Sequence, residues 1–336
     1  MRAVEAVYEY KMEFGLPILD QAREDAVIEK NSALVEDDVL KGYYIDYLKN
    51  MMSLSRAYQY RMQSGLKIAY SGVEGAFAHI AAGRIFPQGN RVSYSDFKAA
   101  YDSVLNGESD VAVLPIENSY AGEVGQTMDL IFSGCLYING IYELEIHQNL
   151  LGLPDASIDD IKKVTSHPQA LSQCHDYIQM RGFEAEESNN TALAAKLVAE
   201  SNDRSLAAIA SVETAEIYGL KVIEANINKS GENTTRFAVL SKVKANSPAM
   251  TSTVLMFTVK HESGSLANAI GIIAKYGYNM TALRSRPMKK DSWQYYFYVE
   301  IDDTTDTKIG NIMLEELNNV CDRLKVAGTF KPHTEI

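Results

Sequence analysis

The chain has 336 residues, 46% of them hydrophobic and 23% charged, the balance of an ordinary globular protein of about two domains. Acidic residues outnumber basic ones 44 to 32, giving a net charge of −12 with no large block of Lys and Arg, so a nucleic-acid surface is excluded as the main function. Cys135, Cys174 and Cys321 are scattered and form no CxxC, which leaves neither a disulfide framework nor a zinc knuckle, and no metal is predicted. The stretch from Met1 to Tyr10 lacks an apolar core of signal-peptide length and no later run approaches a membrane span, so the expected location is cytoplasmic, without a membrane partner.

Residues 1–64 read as helices, with long helix formers, no strand alternation and a break at Gly15-Leu16-Pro17. Asp20 is placed to cap the second helix and carries Arg23 and Glu24 above it on one face. The third, from about Glu36 to Met62, spaces Ser55 and Gln59 four apart on one side. Singly, each of these polar residues reads as a solvated helix face.

Together, Lys11, Asp20, Arg23, Glu24, Ser55 and Gln59, with the phrase Tyr10-Lys11-Met12-Glu13-Phe14-Gly15-Leu16-Pro17-Ile18, resemble the helical chorismate mutase family. The resemblance implies that Lys11 and Arg23 hold the carboxylates and ether oxygen of chorismate while the other four hydrogen-bond the rest. The rearrangement to prephenate is unimolecular and needs only a compact conformer and charge stabilisation. Met1 aligns inside that family's first long helix, with two family arginines falling upstream. The expectation is a truncated domain with weak or no mutase activity.

After residue 65 the hydrophobic period changes. Lys67 to Tyr70 reads as a strand entering Ser71-Gly72-Val73-Glu74-Gly75 and a helix from Ala76; the glycine spacing matches no dinucleotide or Walker motif. Strands are predicted at Arg91–Tyr94 and Asp110–Ile116, with a helix between them capped by Ser95, then a helix over Thr127–Phe132 and an extended crossing from Ile138 to Leu153. Strands near Val164, Ala185, Ala207 and Val222 then alternate with helices over Gln169–Arg181, Ala192–Glu200 and Val212–Tyr218, before the chain returns through Thr235–Lys242. Such a path builds two α/β lobes around a cleft. Two polar clusters at strand ends, Glu117-Asn118-Ser119 and Asn233-Thr234-Thr235-Arg236-Phe237, are candidates to face each other across it. Ser166 and His167 lie side by side without a GxSxG elbow, so a helix cap is the better local reading than a hydrolase dyad.

Tyr70-Ser71-Gly72-Val73-Glu74-Gly75-Ala76-Phe77, Pro115-Ile116-Glu117-Asn118-Ser119 with Gly122, Ser166-His167-Pro168-Gln169-Ala170-Leu171 with Gln173 and Cys174, and Thr235-Arg236-Phe237 resemble, in order, the prephenate dehydratase family over residues 66–244. The resemblance implies loss of carbon dioxide and water from prephenate to give phenylpyruvate. The departing hydroxyl is the electron sink, so no cofactor is expected. It assigns Thr235 to the leaving hydroxyl. Glu117 is a candidate ultimate acid, Arg236 the cation for a carboxylate, and Thr234, Asn118, Ser119, Ser166, Gln173 and Thr191 a hydrogen-bonding cradle.

Beyond a joint at Ser247-Pro248-Ala249, residues 251–331 read as βαββαβ, with strands at Val254–Lys260, Tyr278–Pro287, Trp293–Ile301 and Arg323–Thr329 and helices at Gly264–Tyr276 and Lys308–Asn319: a ferredoxin-like α+β domain. Gly264-Ser265-Leu266 and Arg284-Ser285-Arg286-Pro287 resemble the ACT domain that binds phenylalanine in dehydratases, although Arg284 stands where that family has Glu. The implied regulator is L-phenylalanine as allosteric inhibitor, and the implied assembly a homodimer or homotetramer. The expected architecture is thus multidomain: all-α helical mutase-like segment, two-lobed α/β catalytic domain of the periplasmic-binding-protein type, and ferredoxin-like domain. The competing readings of a two-lobed cleft are a solute-binding receptor and a ligand-sensing regulatory protein. The helical segment weighs against the first, and the acidic helices, with no basic recognition helix, against the second.

Overall fold

The computed structural model describes residues 2–228, 233–245, 247–288 and 294–336. Trp293, the predicted start of a strand, and Met1 lie outside them. The chain divides into two compact units, residues 1–67 with 88–90 and residues 68–87 with 91–336.

The first unit holds helices α1 (Arg2–Glu13), α2 (Gln21–Ser32) and α3 (Asp38–Ser64). Asp20 caps α2 by accepting from the Arg23 amide, and Asp37 caps α3 by accepting from those of Val39 and Leu40, so acidic caps set where both helices begin. Ile18 and Leu48 are buried, but large apolar side chains such as Leu34, Val39 and Tyr43 stand exposed. Among the described residues no helix is long and apolar enough to cross a membrane.

The second unit begins with β1 (Lys67–Ser71), α4 (Phe77–Ile85), β2 (Asn90–Tyr94), α5 (Phe97–Asn106), β3 (Val111–Asn118), a short β4 (Gly122–Glu123), α6 (Gly125–Ser133) and β5 (Tyr137–Glu145). Its second lobe comprises β6 (Asn149–Gly152), β7 (Lys163–Ser166), α7 (Pro168–Gln173), α8 (His175–Arg181), β8 (Glu184–Glu187), α9 (Thr191–Ser201), β9 (Leu206–Ala210), α10 (Val212–Tyr218) and β10 (Lys221–Glu224). The chain then returns as β11 (Thr234–Ser241). The predicted extended crossing is two strands, one in each lobe. Two local expectations need correction. The long helix after His167 is interrupted at Cys174, giving α7 and α8. Asp96 rather than Ser95 caps α5, because its carboxylate reaches the Ala99 amide.

The second lobe's sheet runs β10-β6-β9-β7-β8. The first lobe's strands belong to a larger sheet that also contains β12 (Ser252–Thr258), β13 (Met280–Pro287), β14 (Tyr295–Ile301) and β15 (Arg323–Phe330), with helices α11 (Ser265–Lys275) and α12 (Lys308–Val320) and a terminal β16 (Thr334–Glu335). The strand order is β13-β14-β12-β15-β5-β11-β3-β1-β2, so the ferredoxin-like βαββαβ module is joined edge to edge with the first lobe. The seam is Gly328 opposite Ile138. A Cβ on Gly328 would sit 1.9 Å from the Ile138 carbonyl oxygen, so the two backbones meet this closely only because residue 328 has no side chain. The core is continuous as well: Leu114, Ile138 and Ala238 of the lobe share one buried cluster with Val254, Met256, Tyr298 and Phe330 of the module. Fully burying each large side chain here stabilises by about 2 kcal/mol. The loop around Pro248 thus links two parts of one hydrophobic core, a continuity that a local turn signal cannot reveal.

Candidate functional site

The site is set by antiparallel pairing of β11 with β3, which places Thr235 opposite Asn118 and Arg236 opposite Glu117, with a register shift immediately afterwards. Such a bulge beside a cleft re-aims neighbouring side chains. Because successive strand residues point to opposite faces, Thr235 and Asn118 look into the cleft while Arg236 and Glu117 look away from it.

Asn118 is the hub. Its amide nitrogen donates to Thr235 Oγ1 at 2.9 Å, to Asn233 Oδ1 at 2.9 Å and to the Thr234 carbonyl at 3.3 Å. Its Oδ1 accepts from the amides of Tyr120 and Ala121 at 3.1 and 2.9 Å, which fixes the orientation of the side-chain amide. Thr235 Oγ1 is therefore an acceptor from Asn118 and keeps its own proton to donate, on a side chain that lines the cleft. From the second lobe, Gln169 Nε2 donates to Asn118 Oδ1 at 3.0 Å. Asn233 Nδ2 donates to Gln173 Oε1, also at 3.0 Å. Both lobes are thus tied at the floor of a cleft of about 320 Å³.

Among the described residues lining that cleft, none carries a fixed charge. Its one titratable lining group, His167, accepts from the Gln169 amide as the N-cap of α7, and burial, against the opposing pull of Glu187, holds its pKa below the ordinary histidine value. Phe77, Phe97, Pro115 and Ile146 supply apolar walls, and Ala76, His167 and Asn190, the N-caps of α4, α7 and α9, open on the same space. Ala76 offers no side-chain cap. Helix N-termini present partial positive charge and backbone N–H groups, so this cleft suits an anion without a lysine or arginine. Cys174, beneath it, has its thiol pushed up to about 12 by burial and stays protonated, unsuited to nucleophilic work.

Several expected site residues are placed elsewhere. Arg236 makes a bidentate pair with Glu300, at 2.8 and 2.9 Å, and a further bond to Glu117 at 3.2 Å. Glu117 also accepts from Arg284 at 2.5 Å. Neither Arg236 nor Glu117 lines the cleft, so the expected carboxylate-binding cation and ultimate acid are both turned into an ionic layer against the βαββαβ module. Burial alone would raise the Glu300 carboxyl, but the bonds and charge of Arg236 outweigh it and hold it below the usual carboxylate range. Ser166 is fully buried, donating to the Ile209 carbonyl at 2.6 Å, and so pins β7 to β9. Ser119 Oγ accepts from the Thr234 amide at 2.9 Å, and both residues brace the loop outside the cavity. Gln173 and Thr191 do line it, as do Gln169, part of a family motif but not assigned to the site, and Gln148, a neutral amide outside every motif.

In the helical unit a separate pocket of about 160 Å³ is lined by all six residues picked from the sequence, Lys11, Asp20, Arg23, Glu24, Ser55 and Gln59. Lys11 Nζ donates to the Ile18 carbonyl at 2.5 Å, and burial, reinforced by Arg23, lowers its pKa. Arg56, which the sequence reading passed over, lines the same pocket and pairs with Glu24.

In the βαββαβ module Gly264 caps α11 at φ +87°, and Leu266 lines a pocket of about 350 Å³ with Val259, Glu262 and Phe297. Arg284 and Arg286 are not in it. They project from β13 toward Glu117, Glu123 and Asp129 of the first lobe, while Ser285 and Pro287 alternate to the exposed side. The two motifs expected to share one ligand are therefore separated within this chain.

The family model described as prephenate dehydratase matches residues 68–245, and that of chorismate mutase type II matches residues 1–60. The bifunctional chorismate mutase/prephenate dehydratase of Aquifex aeolicus is 30% identical, the match covering 96% of this chain and 89% of that protein. Arogenate dehydratase/prephenate dehydratase 2 of Arabidopsis thaliana is 32% identical over 81% of this chain and 74% of its own length. A prephenate dehydratase from Arthrobacter aurescens, solved in complex with L-Phe, superposes with a TM-score of 0.72 at 24% identity, covering 79% of this chain and 89% of that one, which establishes a shared fold. With its cleft, its two matched segments and relatives that span nearly its whole length, this chain belongs to the prephenate dehydratase family and carries a chorismate mutase type II segment ahead of the dehydratase domain.

Proposed function

We propose that the cleft between the two α/β lobes performs the decarboxylating dehydration of prephenate with Thr235 as the hydrogen-bond donor to the leaving hydroxyl. The observation that carries this reading is the Asn118 amide donating to Thr235 Oγ1, which leaves the threonine proton available to a substrate in the cavity that Thr235 lines. In the reaction the ring-to-carboxylate bond breaks and its electron pair enters the ring as the carbon–oxygen bond to the hydroxyl breaks. Carbon dioxide departs, and the hydroxyl leaves as water on gaining one proton. A threonine hydroxyl is too weak an acid to supply that proton outright. Thr235 therefore stabilises the departing oxygen while solvent water furnishes the proton. The absence of fixed charge among the described lining residues serves the same step: helix N-termini hold the dianion, yet the ring carboxylate is poorly solvated and its loss is favoured. Thr235→Ala is expected to lower kcat for phenylpyruvate formation by about 10²-fold with KM within about threefold, and Thr235→Ser to recover most of it. An unchanged kcat in the alanine variant removes Thr235 from the chemistry.

Three further assignments belong to this reading. The helical pocket is a chorismate mutase site of low activity, because it has half the cleft's volume for an isomer of the same substrate and Glu24 is engaged by Arg56. L-Phenylalanine is the feedback inhibitor and enters the pocket beside Leu266 in the ACT-like module, where the start of α11 receives its carboxylate. The Arthrobacter aurescens complex with L-Phe supports that class of ligand. A melting temperature unmoved by saturating L-phenylalanine, with turnover unaffected, rejects the assignment. The chain acts in the cytoplasm as a homodimer or homotetramer, and the exposed Leu34, Val39 and Tyr43 of the helical unit are apolar surface for such pairing.

A further inference from the structure

The ionic layer lies behind the cleft, outside its lining. Glu117 and Arg236 are the immediate chain neighbours of Asn118 and Thr235 and are themselves paired in register across β3 and β11. Each is gripped from the βαββαβ module: Arg236 by both oxygens of Glu300 on β14, and Glu117 by Arg284 on β13. Tyr298 donates to Glu300 at 2.6 Å, and the Arg284 guanidinium lies 5.6 Å from the centre of its ring, so the two grips share a support. Arg286 extends the layer to Glu123 and Asp129, and lies so close to Gly125, the first residue of α6, that a Cβ there would fall 2.1 Å from its Nη2. The register shift between Arg236 and Phe237 shows that β11 is held out of regular pairing at this place.

We propose that Arg284 and Glu300 are positioning residues of the dehydratase: through Glu117 and Arg236 they set the Asn118–Thr235 pair from the opposite face of the sheet. The physical basis is alternation along a strand, since a guanidinium clamped at one residue fixes the backbone that aims the side chain of the next. A shift of about 1 Å in the hydroxyl costs on the order of 10²-fold in rate, so a modest slackening of the clamp is visible in turnover. Arg284 therefore acts on this chain's own catalytic lobe. This inference rests on Thr235 acting as proposed above.

The test is a set of variants of the full chain assayed with prephenate well below their melting temperatures. Arg284→Ala and Glu300→Gln are expected to lower kcat five- to thirtyfold with KM within about twofold, and Arg284→Lys, which keeps a cation over Glu117, to recover at least half of the loss. In a Thr235→Ala background, Arg284→Ala is expected to cost less than a further twofold, because the group it positions is already gone. Wild-type kcat in Arg284→Ala overturns the inference whatever Thr235→Ala does. So does a full additional loss in the double variant, or no recovery by lysine. A wild-type kcat in Thr235→Ala rejects the role of Thr235 itself, and with it this inference, even if Arg284→Ala is slow.

Discussion

The dehydratase cleft and the helical pocket, proposed as the sites for two isomeric dianions, are lined in opposite ways. The cleft is walled by aromatic and aliphatic side chains and neutral amides, with helix N-termini in place of cations. The helical pocket crowds Lys11, Arg23 and Arg56 with Asp20 and Glu24 into about 160 Å³. The chemistry accounts for the contrast. A rearrangement that develops charge on an ether oxygen is accelerated by fixed charges near it. A decarboxylation is accelerated when the carboxylate about to leave is held but not neutralised, and an arginine against that group would stabilise the ground state. Arg236 and Arg284, the cations described next to the Asn118–Thr235 strands, are engaged behind the cleft by Glu117, Glu300 and Glu123.

Placing charge where the described lining of the cleft has none should have the largest effect. Gln173→Glu puts a carboxylate beside Asn233, and kcat/KM for prephenate at pH 8 is expected to fall about 10³-fold, recovering in part below pH 6 as the buried acid, its pKa raised, takes a proton. A pH-independent loss would mean that lost hydrogen bonding, rather than repulsion, dominates. Next comes the independence of the two sites. Arg23→Ala is expected to abolish whatever chorismate consumption the chain shows, a loss of 10²-fold or more, with prephenate turnover changed by less than twofold; coupled losses would show that the two sites are not separate.

The smallest effect concerns a cation outside both sites. Lys325 Nζ caps α6, donating to the carbonyls of Ile131 and Gly134, and burial, with Arg323 nearby, lowers its pKa to about 8. A lysine whose folded pKa lies below its unfolded value near ~10.4 binds fewer protons folded than unfolded between those limits. Its contribution to stability must therefore rise with pH from about 8 toward 10.4, by up to ~1 kcal/mol per pH unit. Denaturant unfolding over pH 7–10 should show that rise in the difference between wild type and Lys325→Met, in which the opposing titration of Cys174 and Cys321 cancels.

How much of this could be read from residues alone varies with the range of the interaction responsible. Six lining residues of the helical pocket were legible through the family resemblance, and local geometry holds them together, Asp20, Arg23 and Glu24 at one cap and Ser55 and Gln59 on one helical turn; Arg56, a lone cation on a polar helix face, was not. The clusters at residues 117–119 and 233–236 do meet, but which member of each faces the cleft depends on strand phase. A bulge and a single-residue alternation turned Arg236 and Glu117 away from it. Gln169 stands inside a family motif but reads only as part of it, and Gln148, outside every motif, carries no signal as lining. The union of the last module with the first lobe depends on pairing between residues 190 positions apart, Gly328 and Ile138, which no periodicity announces.

That seam changes what can be learned by dissection. Cutting the chain after Pro248 to test for loss of inhibition would strip Val254, Met256, Tyr298 and Phe330 from a shared interior and open a new edge on β5, so a silent truncated protein would report collapse instead of regulation. Residues 68–336 should melt in a single calorimetric transition, and point changes on β13 are the finer instrument. Any natural relative with a side chain at the position of Gly328 must have spread the two strands or abandoned the join.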